Sequence, residues 1–153
     1  MPRSTAFAVF GAAVLALGAL AARAEGSAIS VSDAYARAVP PGQPNSAVFM
    51  NLTNGSDHPR ALVAAASPAA DAVELHTHIE EGGMMRMRRV ERIEIPAGGT
   101  VSLKPGGLHV MLIGLKENLQ PDGQVDLTLT FDDGAKTKIQ APVRKVETMP
   151  MHH

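Results

Sequence analysis

The 153-residue chain carries 14 Lys and Arg against 15 Asp and Glu, so a formal charge of −1 leaves no basic field to draw it onto nucleic acid. Aromatic residues make up 3%, with no Trp and one Tyr, too few to stack single strands, whereas 45% hydrophobic residues suffice for a core. The absence of cysteine excludes a disulfide framework, a thiolate zinc site, an iron–sulfur cluster, a catalytic thiol and a blue-copper centre, and leaves eight Met and six His as the conspicuous counts.

The first 24 residues read as an export signal. Arg3 makes a small basic start, residues 6–22 form an apolar run, and Ala22-Arg23-Ala24 is a small-x-small cleavage triplet. An uncleaved membrane anchor is the alternative, but about 17 residues, many of them Ala, stand at the short limit for a hydrocarbon core. No cysteine follows the run, which excludes a lipid-modified cysteine there. Cleavage removes Arg3 and Arg23 and no acid, leaving 12 basic residues against 15 acidic ones in residues 25–153.

From Glu25 to Val146 the chain reads as one small all-β domain. Turn signals recur every eight to twelve residues: Pro40-Pro41-Gly42, Asn54-Gly55, Glu81-Gly82-Gly83, Pro96-Ala97-Gly98-Gly99, Pro105-Gly106-Gly107, Pro121-Asp122-Gly123 and Asp132-Asp133-Gly134. Between them, Ala47–Thr53 and Val110–Leu115 are dense apolar runs suited to inner strands. Glu91–Ile95 and Val125–Phe131 alternate with period two, and Asp133-Gly134 turns the latter into Lys136–Val143. Ser67–Val73 is expected to hold one short helical turn. Seven or more short strands at this spacing indicate a Greek-key sandwich or barrel. Residues 147–153 show no strand pattern and are expected to form a flexible Met/His tail.

Four side chains stand out within this frame: His76, Met87, His109 and Met111. His109 and Met111 are two apart in a strand and therefore share a face, one pleat from each other. The same holds for Met85 with Met87 and for His76 with His78, and Glu81-Gly82-Gly83 brings the two strands together as a hairpin. Thioethers are neutral and polarizable, which suits Cu(I) and not zinc, calcium or magnesium. Two neutral imidazoles with two thioethers make a site of zero ligand charge that favours a monovalent ion. On pattern alone the alternative stays open, because Met fills core gaps and a solitary His is commonly exposed or satisfied.

The stretch Glu74-Leu75-His76, Met84-Met85-Arg86-Met87-Arg88, Ile95-Pro96-Ala97-Gly98 and Leu103-Lys104-Pro105-Gly106-Gly107-Leu108-His109-Val110-Met111 resembles the PCu(A)C-type periplasmic copper chaperones. Their signature is His, ten residues, Met, twenty-one residues, His, one residue, Met. His76, Met87, His109 and Met111 reproduce every interval. The resemblance runs from Ile29 to about Val146. It implies a cupredoxin-like Greek-key β-sandwich and one Cu(I) held by those four side chains at an accessible site. It also implies a periplasmic protein, and a monomer that is not membrane-embedded after cleavage is the separate expectation. The recipient it implies is a copper-accepting oxidase subunit, at the CuA centre of cytochrome oxidase, reached directly or through a thiol-bearing copper chaperone.

Other residues are secondary. Met149, Met151, His152 and His153 could take a second copper, Cu(II), as some family members' tails do, or form a functionless end. His78 could assist its same-face neighbour His76 but is expected at an exposed strand end. His58 is expected in a solvated turn, and Met50, Met84 and Met85 are expected in packing, with Met85 as a spare thioether the alternative. Arg86, Arg88, Arg89 and Arg92 are expected to form one basic strand edge, which discourages strand addition or receives an acidic partner. No Gly-x-Ser-x-Gly elbow, His-Glu-x-x-His, phosphate loop or dinucleotide fingerprint occurs, so no enzyme is expected. The rival readings are a copper-scavenging or storage protein working through its tail, and a metal-free interaction sandwich.

Overall fold

Period-two alternation decides the strands of this protein, and Gly, Pro and side-chain-capped turns decide where they stop. A computed structural model describes residues 28–146. The expected signal (1–24) and the tail with Met149, Met151, His152 and His153 lie outside the described residues. Within them the protein is all-β, with ten strands: β1 Ile29–Arg37, β2 Asn45–Asn54, β3 Arg60–Ala66, β4 Ala70–Glu81, β5 Met84–Val90, β6 Ile93–Ile95, β7 Thr100–Leu103, β8 His109–Leu115, β9 Gln124–Phe131 and β10 Lys136–Arg144.

The strands follow the order β5-β4-β8-β2-β1-β10-β9-β3-β6, with β7 pairing β2 beside β8. All ladders are antiparallel except the short parallel β1–β10 seam at Ala36↔Val143 and Arg37↔Arg144. At that seam the path folds over itself. The inward side chains of β2, β4, β7 and β8 (Met50, Leu52, Leu75, Leu103, Val110, Leu112) then meet those of β3, β6, β9 and β10 (Leu62, Ile93, Ile95, Leu127, Leu129, Phe131, Val143) in one core. Burying each such Leu, Ile or Phe contributes about 1.5–3 kcal/mol, which is what holds the two layers together.

Local chemistry fixes the register. Asn54, fully buried at the end of β2, donates from Nδ2 to the carbonyls of His58 and Ile95 and accepts at Oδ1 from the Ser56 amide and hydroxyl. One side chain thus closes the Asn54-Gly55 turn expected from the sequence. Gly82 and Gly83 both take positive φ, the requirement of a two-residue hairpin loop, and Glu81 pairs with Met84 across them. In β8, Gly114 also has positive φ, and a Cβ there would come within 2.6 Å of the Asp71 carboxylate. Only glycine lets β8 and β4 pass so closely.

Two expectations need correction. Ser67–Val73 holds no helical turn: Ser67 Oγ accepts from the Ala69 amide in a tight turn, and the chain enters β4 at Ala70 with Ala69 and Ala70 already buried. Arg92 is not part of a basic strand edge. It lies between β5 and β6, and its guanidinium reaches Glu94 at 2.9 Å and Asp132 at 3.5 Å.

Candidate metal centre

The site grows from the hairpin. With Gly82 and Gly83 as its loop, the β4–β5 ladder places His78 opposite Met87 and His76 opposite Arg89. On the other edge of β4, His76 faces His109 and Glu74 faces Met111. Beyond β8, Met111 pairs with Ala47 of β2. Leu75 and Val110, the alternate residues, point into the core, so the His and Met side chains occupy the outer face. His76 and Met87 are diagonal neighbours on it, within reach of a long side chain.

β1 frames this face by means of an irregularity. Between Ser32 and Tyr35 one extra residue bulges out opposite Asn51–Phe49, with Asp33 at φ 51° and held by the Asn51 amide at 3.2 Å. The bulge sets Tyr35 opposite Phe49 with ring centroids 5.2 Å apart, and Phe49 lies 6.3 Å from the His109 ring. An aromatic row thereby backs the imidazole from one side.

The three imidazoles differ in their bonding. His109 is almost fully buried, and its Nδ1–H donates to the Gly107 carbonyl at 3.0 Å, which leaves Nε2 as the bare lone pair. Burial holds its pKa below the ordinary value of 6.5 even though the Gly107 bond pulls the other way. His76 donates from Nε2 to Glu74 Oε1 at 2.9 Å, and this bond keeps the Glu74 carboxyl below its usual range. The Nδ1 atoms of both His76 and His78 are buried with no hydrogen-bond partner among the described residues. A buried imidazole nitrogen without a partner carries a desolvation penalty that a ligand would relieve.

The His76 and His78 rings lie 5.8 and 5.3 Å from that of His109. A cleft of about 600 Å³ opens in front of them, lined by Phe49, His78, Met87, His109 and Met111 and walled by Val39, Pro40 and Pro105. His76 is outside that lining. The structure therefore brings Met87, His109 and Met111 to one cleft and places His76 at its margin, across the ladder from His109.

The methionines of β5 are exposed: Met84 at 61%, Met85 at 58% and Met87 at 50%. Met50 is buried as expected, but Met84 and Met85 do not pack. β8 pairs with β4 only as far as His76, so residues 78–81 and their β5 partners project as a two-stranded arm with no third strand beside them among the described residues. Arg86, Arg88 and Arg89 share that exposed outer strand, and His58 is solvent-exposed in its turn as expected.

The expectation of His78 at an exposed strand end is corrected, because the side chain is partly buried and lines the cleft. Glu74 and the aromatic backing gain places that residue spacing did not give them. The signal for His78 was available: a two-residue loop at Gly82-Gly83 forces residues summing to 165 into register, and that pairs 78 with 87. The donor set fits a soft monovalent ion. It offers bare imidazole nitrogens and neutral thioethers, and among the described residues no three His, Asp or Glu side chains converge as a cage for a harder metal.

The LpqE-like family model, by its description a lipoprotein family, matches residues 29–143. The protein Lxx21020 of Leifsonia xyli subsp. xyli (strain CTCB07) is 34% identical over 117 residues, 76% of this chain and 69% of its own length. Among solved structures, apo-DR1885 from Deinococcus radiodurans is 40% identical with a TM-score of 0.62, over 94% of this chain and 97% of that one. Its CuI form is 44% identical with a TM-score of 0.61, over 73% and 75%. The copper-bound PCuAC domain from PmoF2 is 25% identical with a TM-score of 0.66, over 78% and 95%.

Proposed function

This chain belongs to the LpqE-like family of PCuAC-type domains, and on that premise we propose that it is an exported copper(I) chaperone whose cargo is held by His76, Met87, His109 and Met111. The observation that carries the reading is the meeting of two thioethers with the bare Nε2 of His109 in one solvent-open cleft. A structural neighbour at 44% identity is a Cu(I) form of its protein, which supports the choice of metal and oxidation state.

The side chains divide the work. His109 supplies a nitrogen fixed in one tautomer by Gly107. Glu74 holds His76 through Nε2, the usual arrangement for a metal-binding imidazole, and leaves its buried Nδ1 as the nitrogen to ligate. Met111 and Met87 supply sulfur from opposite sides and select Cu(I) over divalent ions. With no thiolate in the set the ion is carried and released by ligand exchange, and no catalytic step is assigned. The cupredoxin-like Greek-key frame, residues 1–24 as a cleaved signal, a periplasmic location and a monomeric state complete the reading. The recipient is assigned as a copper-accepting oxidase subunit at its CuA centre, reached directly or through a thiol-bearing chaperone. The support for that recipient is the resemblance of the signature His76, Met87, His109 and Met111.

The test is an anaerobic Cu(I) titration of the protein after removal of residues 1–24, against a chromophoric Cu(I) chelator. One tight equivalent is expected, and it should survive truncation of residues 147–153. Failure to compete with the chelator would overturn the reading. Loss of the equivalent with the tail would transfer the site to Met149, Met151, His152 and His153, with Cu(II) as the ion to try next.

A further inference from the structure

We propose that His78 is a fifth copper donor, on the outer rung of a ladder of ligands that leads from the cleft to the exposed hairpin. The inference rests on the reading of the cleft as a Cu(I) site and extends its ligand set. Three independent observations carry it. His78 is the direct cross-strand partner of Met87, whereas His76 is only diagonal to it. Its ring is 5.3 Å from that of His109, nearer than the 5.8 Å of His76. It lines the same cleft as Met87, His109 and Met111, and its Nδ1 is buried without a hydrogen-bond partner among the described residues.

The ladder follows from the pleat. Successive outward positions on β4 are Glu74, His76 and His78, and their neighbours are Met111, then His109, then Met87. Donors therefore advance one pleat at a time, about 7 Å per two residues, from the Met111 end toward the arm. A Cu(I) ion held at the His109 level can exchange His76 for His78 without leaving imidazole coordination, since both come from one strand and flank one partner. That exchange shifts the ion along β4 to the level of Met87, the half-exposed thioether that already holds it and that an incoming acceptor can reach. Five donors serving an ion that binds four at most leave one always free to begin the exchange.

The experiment uses the full chain after export. Nitrogen-15 resonances of the imidazoles are followed as Cu(I) is added anaerobically, and Cu(I) affinity is measured by chelator competition for the wild type, His78→Ala, His76→Ala and the double variant. His58→Ala, in an exposed turn, is the control. The proposal expects the Nδ1 resonance of His78 to move in step with copper loading. It also expects each single variant to lose roughly tenfold in affinity or less, and the double variant to lose much more than the product of the two. A wild type that binds one equivalent while the His78 resonances stay put, with His78→Ala within twofold of wild type, overturns the proposal and leaves the four-ligand site standing. A wild type that binds no Cu(I) overturns both. Because the resonance measurement is made on the unaltered protein, a poorly folded variant does not mask the answer.

Discussion

β8 and β5 flank β4 on its two edges, and each brings a thioether to the same cleft, yet the two strands stand in opposite surroundings. β8 is paired on both sides, by β4 and β2, and its alternate residues Val110 and Leu112 are wholly buried. Among the described residues β5 is paired on one side only, and six of its seven residues are exposed. A donor on β8 is therefore held by the core, while a donor on β5 is held by one hydrogen-bonded ladder. The contrast teaches how one site can both grip and surrender an ion. Geometry is set from the buried side, and access is left on the open side.

The comparison breaks most visibly at His109. His109→Ala removes the imidazole that β8 fixes, and Cu(I) affinity is expected to fall at least about 100-fold, roughly 2.7 kcal/mol. The apo protein should also lose about 1 kcal/mol, since the half-buried Gly107 carbonyl loses its donor. Chelator competition and denaturant melting read the two effects, and wild-type copper binding in this variant would move the centre away from β8.

The two methionines sharpen the contrast further. Met111→Ala and Met87→Ala should each weaken Cu(I) by roughly tenfold, as loss of one soft ligand. Their stabilities should part: Met87→Ala within about 0.5 kcal/mol of wild type, being half-exposed, and Met111→Ala lower by about 1 kcal/mol or more. Equal melting curves would show that β8 does not hold its thioether more firmly than β5.

Glu74→Gln addresses orientation alone. The amide keeps the shape of the side chain but gives up the charge that receives the His76 Nε2–H, and copper affinity should fall by about tenfold without loss of fold. A carboxylate that merely decorates the surface would leave the titration unchanged.

The smallest effect is the pH dependence of the apo protein. Burial keeps the folded-state pKa of His109 below 6.5, so as pH falls the unfolded chain takes up this proton first. The stability due to His109 is complete above 6.5 and is lost as pH falls from there through the folded-state value. Urea midpoints across that window should decline more steeply in the wild type than in His109→Ala. Parallel slopes would mean that His109 is not shielded by β8.

Much of this was legible in the residues. Val125–Phe131 alternates without a break and forms β9 almost to the residue, and Asn54-Gly55 and Asp133-Gly134 turn where they should. The four signature residues fall on one outer face because strand spacing is a matter of parity. Parity says which side chains share a face, though, and not whether another layer covers it. That is why Met84 and Met85 read as packing and proved exposed: the arm outruns both β8 and the opposite layer. The pairing of His78 with Met87 emerges only once the Gly82-Gly83 loop is taken as a two-residue turn, which is why His78 read as an exposed strand end. Arg92 read as one more basic residue in a run, but the strand ends before it and two acids claim it.

The supernumerary residue near Asp33 acts on β1 as an insertion acts on a reading frame. Everything downstream of it is read on the opposite face, so Tyr35 emerges beside Phe49 and Ala36 sinks wholly into the interior. Running Asp33 through as part of a regular strand would restore the unshifted frame, thrusting a phenol into the core and presenting a methyl group where the aromatic row begins. Deleting it would instead close the bulge and leave Tyr35 opposite Phe49. The backing of the His109 ring thus depends on arithmetic a whole strand away from any copper ligand.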